Sequence, residues 1–157
     1  MRSTYAVALL ALIAGGIWLE WISLSLMFPI QAQVSNAIPT TVFSIDGGET
    51  AGGFGFALQG QKIASPGPTI TVKSGDIVRI NFKNVGATAH AFAVTREKDD
   101  RSPILFTGNI GTGARPLTPG LEGSVVFKAD TPGTYYYICP VPGHPTLGMW
   151  GEFKVEG

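Results

Sequence analysis

The chain is poor in the residues that most often do chemistry. Its 157 residues hold one cysteine and two histidines: Cys139, His90 and His144. A single cysteine makes no intramolecular disulfide. Two histidines do not furnish the several imidazoles of a catalytic multi-metal centre. Charge is scarce as well, at 14%, with eleven residues of each sign. A nucleic-acid partner asks for a basic face, and the chain has none. No run of like charge is present to steer a strongly charged partner. After Phe28 no segment keeps a helical period. With 21 glycines and 11 prolines, a helical bundle is excluded.

What is abundant near the N-terminus is apolar length. Ala6 to Phe28 carries one charge, Glu20. As a helix it would span ~34 Å at ~1.5 Å per residue, enough for a hydrocarbon core of ~30 Å. Residues 1–30 are therefore expected to be an uncleaved transmembrane anchor. The alternative is a signal peptide, with Ala6 to Trp18 as its core and Ser35-Asn36-Ala37 as a distant cleavage site. Arg2 is the only basic residue before Lys62. The positive-inside rule then puts the N-terminus in the cytoplasm and the rest on the extracytoplasmic side. Residues 31–38 read as a linker and 39–157 as one domain.

From Thr40 the pattern is strand after strand, divided by Gly/Pro turns. The expected strands are 41–45, 54–58, 69–73, 77–83, 89–95, 104–106, 124–128, 134–139 and 150–155. In the clearest, Val78, Ile80 and Phe82 alternate with Arg79, Asn81 and Lys83, as in a half-buried strand. Short strands with regular turns predict an all-β antiparallel sandwich with Greek-key links. Glu97 to Glu122 reads as a long surface excursion. The glycines from Gly47 to Gly55 lack the Lys-Ser/Thr of a phosphate loop and read as hairpin turns and bulges.

One stretch carries chemistry: Cys139-Pro-Val-Pro-Gly-His144-Pro-Thr-Leu-Gly-Met149. Taken singly, a buried Cys, a lone His and a Met before a strand are ordinary packing residues. Together with His90 they supply thiolate, two imidazoles and a thioether. That is the ligand set of an electron-transfer copper site, which must suit both Cu(I) and Cu(II). Zinc would accept the Cys and His residues but gains nothing from Met149. Pro140, Pro142 and Pro145 stiffen the loop, and Gly143 and Gly148 give freedom just before each ligand. The expected metal ligands are His90, Cys139, His144 and Met149, holding one copper. A dinuclear copper centre would need a second cysteine in this loop, and Pro140–Gly143 has none.

Gly133 to Gly151 closely resembles the copper loop of cupredoxins, most of all that of rusticyanins and sulfocyanins, with the same Cys-x4-His-x4-Met spacing. Pro66 to Asp76 and His90 to Thr95 look like earlier strands of that family. The resemblance covers roughly Ile38 to Glu156. It implies a cupredoxin-like Greek-key sandwich carrying a type 1 (blue) copper, with His90, Cys139, His144 and Met149 as ligands and Tyr135 as the tyrosine of the corner before the Cys strand. It implies one-electron transfer without enzymatic activity, and redox partners such as a cytochrome or terminal oxidase. One departure is Ala91, where the family commonly has Asn or Ser after the first His ligand. The expectation is that the Ala91 N–H still reaches the Cys139 sulfur, with Val141 N–H adding a second bond.

Overall fold

The computed structural model describes residues 37–157, an all-β unit of nine strands. The apolar run Ala6–Phe28 lies outside the described residues. Among the described residues no helix is long and apolar enough to cross a membrane.

The strands are β1 (Thr41–Thr50), β2 (Gly53–Leu58), β3 (Ile70–Lys73), β4 (Asp76–Asn84), β5 (Phe92–Thr95), β6 (Ile104–Ile110), β7 (Glu122–Ala129), β8 (Gly133–Ile138) and β9 (Trp150–Glu156). They form two sheets, ordered β2-β1-β4-β7 and β3-β9-β8-β5-β6. The alternation in β4 is realised: Val78, Ile80 and Phe82 are buried, while Arg79 and Asn81 are half-buried and Lys83 is exposed. The two inner faces meet through aromatic rings. Phe56 and Phe82 from one sheet lie edge-on or tilted to Phe92 and Tyr137 from the other, at centroid separations of 5.1–6.3 Å. Burying such a ring contributes about 1.5–3 kcal/mol, and edge-to-face pairs add to that.

Three expectations need correction. The sandwich is not purely antiparallel, because β1 pairs with β4, and β3 with β9, in parallel. The chain between β1 and β4 visits the opposite sheet through β3, so β4 returns beside β1 in the same direction. β1 runs on to Thr50, five residues beyond the expected end, because its second half pairs with β2 across the glycine hairpin. β6 continues to Ile110 through Phe106 and Thr107, both at φ 54, so the surface excursion is partly sheet. The glycine-rich segment is a hairpin, as expected, with Glu49 directly opposite Phe54.

Tyr135 forms the expected corner, its hydroxyl donating to the Thr131 carbonyl at 3.0 Å. The Tyr137 hydroxyl donates to the Pro68 carbonyl. Trp150 packs rather than projecting: it meets Tyr136 edge-on, with the Lys98 ammonium 3.7 Å from its ring centre.

Candidate metal centre

Strand β8 delivers Cys139 one residue past its end, and β5 lies beside β8 with Ala93 opposite Ile138. The segment before β5 therefore runs past the cysteine. His90 is not inside β5. It sits in an isolated bridge with Leu117, donating its N–H to the Leu117 carbonyl and accepting from the Leu117 N–H. Asn84, fully buried, ties this approach down by donating to the carbonyls of Thr88 and Leu117 at 2.8 and 2.9 Å.

The loop after Cys139 folds into tight turns. His144 N–H donates to Val141 O, and Leu147 N–H to Gly143 O. Gly143 and Gly148 have φ of 81° and 92°, conformations that favour glycine. The loop closes on itself: Met149 N–H donates to His144 O, and Cys139 N–H donates to Met149 O. Asp100 reaches over from the excursion, and its carboxylate accepts the Gly143 N–H at 2.7 Å.

His90 Nδ1 lies 3.2 Å from His144 Nδ1, and that nitrogen lies 3.4 Å from Cys139 Sγ. The three donor atoms all fall within 4.8 Å of one another. His90 and Cys139 are fully buried and His144 is half-buried. Met149 is fully buried in the same loop, with its methyl against Gly47. The Ala91 N–H donates to Cys139 Sγ at 3.3 Å, as expected.

Electrostatics explains why this cluster suits a cation. Burial pushes the Cys139 thiol up to about 11, and the N–H groups of Ala91 and Val141 pull it back only in part. Burial also holds His90 below its usual range, against the pull of Glu49. His144 is lowered by burial and then by its proximity to His90. Two ring nitrogens facing each other beside a sulfur are eased when a soft or borderline cation stands between them. A thiolate, two imidazoles and a nearby thioether suit copper in both oxidation states. The residues present thus fit one type 1 copper per chain.

Further contributors to the site have no local signal in the sequence. Phe54 stacks on the His144 ring at 4.1 Å and 18°. Glu49 and Thr88 lie against the outer nitrogen of His90. Only the β1–β2 register brings Glu49 and Phe54 here, and the one sequence signal was the glycine hairpin between them. The apolar residues around His144 are divided: Pro142 and Leu147 are exposed, Val141 is half-buried and Pro145 packs inside.

Among curated proteins, a 94-residue stretch is 33% identical to rusticyanin of Acidithiobacillus ferrooxidans, covering 57% of this chain and 50% of that one. Auracyanin-B of Chloroflexus aurantiacus is 30% identical over 105 residues, or 55% of this chain and 45% of that one. The chain thus spans about half the length of these relatives. A solved rusticyanin structure superposes with a TM-score of 0.58 at 23% identity, over 76% of this chain and 80% of that one, which supports the shared fold. The family description for copper-binding proteins of the plastocyanin/azurin type matches residues 57–156, which include all three clustered donors. On that match, the chain belongs to the plastocyanin/azurin family of copper-binding proteins.

Proposed function

We propose that this protein is a one-electron carrier, with His90, Cys139, His144 and Met149 as the copper ligands. The observation that carries the reading is the preformed cluster of two imidazole nitrogens and a thiol in a rigid, mostly buried setting. Bound copper supplies a Cu(II)/Cu(I) couple. The chain's part is to keep the donors still when the charge changes. His90 and Cys139 are held by the sheet bridge and by β8, and His144 by a hydrogen-bonded, proline-stiffened loop stacked on Phe54. A site that does not rearrange loses little energy to reorganisation when an electron moves.

His144 is the half-buried ligand, and exposed Pro142 and Leu147 flank it in sequence. A small apolar patch beside an electron port suits weak, quickly dissociating docking. The partners we propose are redox proteins such as a cytochrome or a terminal oxidase. The run Ala6–Phe28 supports a membrane-anchored carrier with its copper domain on the extracytoplasmic side, near respiratory or photosynthetic complexes. Both histidines belong to the one cluster, which leaves this chain no imidazole for a second, catalytic metal.

A second reading, copper handling without electron transfer, is separated by voltammetry of the copper-loaded protein and by competition with a metal-free acceptor. A reversible one-electron wave with copper retained supports the carrier. An irreversible wave with ready copper release supports handling. Fractionation of cells tests the anchor: the full chain should resist alkaline extraction from membranes, and recovery in the soluble fraction would refute it.

A further inference from the structure

Glu49 lies near the end of β1, with its carboxylate turned onto the segment that leads to His90. Oε2 accepts the Ala87 N–H at 2.9 Å, and Oε1 accepts the Thr88 N–H at 2.9 Å. Oε1 also accepts the Thr88 hydroxyl proton at 2.8 Å. With its proton given to Glu49, the Thr88 oxygen is left as an acceptor, and it stands 3.2 Å from His90 Nε2. The direct separation from Nε2 to Glu49 Oε1, 3.5 Å, exceeds a normal hydrogen bond. The contact therefore runs through the hydroxyl.

His90 is fully buried, so its Nε2 finds its partner within the protein. Facing an acceptor, Nε2 must carry the ring proton. A neutral imidazole protonated at Nε2 is bare at Nδ1, the atom aimed at His144. The packing leaves no slack. A Cβ at Gly86 would sit 2.5 Å from Glu49 Oε2 and 2.9 Å from His90 Nε2, so only glycine fits there without a shift.

We propose that Glu49, acting through the hydroxyl of Thr88, is a positioning residue that locks His90 in the Nε2–H tautomer and places an anion behind a metal-ligating imidazole. Carboxylates partnered in this way orient histidine ligands and raise their basicity. A more basic ligand and a nearby negative charge favour Cu(II), so the carboxylate lowers the reduction potential. The inference rests on the reading that His90 binds copper through Nδ1.

The test uses the full chain and four variants: E49Q, E49A, T88V and T88S. In the metal-free protein, ¹⁵N NMR of the His90 ring should show the Nε2–H form alone. T88V and E49A should give a mixture, and T88S should restore the single form. E49Q keeps an acceptor oxygen for Thr88 but removes the charge. It should keep the tautomer while raising the potential of the copper form, shifting the Cu(I):Cu(II) ratio on the order of tenfold, or about 59 mV for one electron. A His90 ring protonated at Nδ1 in the unaltered protein, or an E49Q potential equal to the parent's, would overturn the proposal. If added copper gave no thiolate band at all, the copper reading would fail and the potential argument with it. The tautomer in the metal-free protein would still decide the relay.

Discussion

Thr107 is held at φ 54, where a β-branched side chain crowds its own backbone, and Phe106 before it has the same φ. Phe106 is engaged there, stacked on Phe127 and edge-on to Tyr135. Thr107 is exposed, and its hydroxyl merely donates to the Phe106 carbonyl. Asn tolerates the left-handed region far better. Thr107→Asn should therefore raise stability by about 1 kcal/mol, measured by urea unfolding, with the copper spectrum unchanged. Gly148 shows the converse. At φ 92, with Ser65 Oγ in the space a Cβ would take, Gly148→Ala should cost at least ~2 kcal/mol and lower the melting temperature. An alanine variant as stable as the parent would refute that strain.

Among the elements, the ligand loop depends on a neighbour far away in sequence. The Asp100 carboxylate accepts the Gly143 N–H, and Lys98 of the same segment covers Trp150 and Tyr136. Asp100→Ala should speed hydrogen exchange at Gly143 by about tenfold, equal to ~1.4 kcal/mol for a charge-assisted bond, while the β4 amides stay protected. Equal exchange in both proteins would show that the clamp is idle. This clamp marks the limit of what was legible in the sequence. Cys139, His144 and Met149 share one loop, so their spacing alone displayed them, and His90 was the only imidazole left to join them. Strand positions followed from alternation, as at Val78, Ile80 and Phe82. Glu49, Phe54 and Asp100 reach the site from 38 to 90 residues away only through strand register and loop packing, which no local pattern encodes. The parallel pairings likewise depend on where the chain crosses between sheets.

At the scale of the whole molecule, the buried titratable groups set a pH window for the metal-free fold. His90 and His144 are depressed, so below 6.5 the unfolded chain takes up protons that the folded one refuses, and stability falls. Burial acts to raise Glu49, but its bonds from Ala87 and Thr88 together outweigh that and hold it at about 2. Its contribution is present above 4.5 and lost as pH drops toward 2. Cys139 moves the other way. The unfolded thiol ionises from 9 upward while the folded one resists until about 11, so stability declines above 9. Urea unfolding of the metal-free protein should thus show a plateau between about 6.5 and 9, falling on both sides. Cys139→Ser should remove the fall between 9 and 10 and leave the steeper part above 10, where Tyr137, also raised by burial, resists ionising in the folded chain. A fall between 9 and 10 that survives in that variant would point to another group.

The proposal that His90, Cys139 and His144, with buried Met149 in the same loop, hold a type 1 copper rests on the clustered donor atoms. Its most direct test is the visible and EPR spectrum of the protein after one equivalent of Cu(II). An intense thiolate-to-copper band and a narrow copper hyperfine splitting are expected, both abolished by ascorbate and absent from Cys139→Ser. A colourless protein, or the wide splitting of ordinary Cu(II), would contradict it.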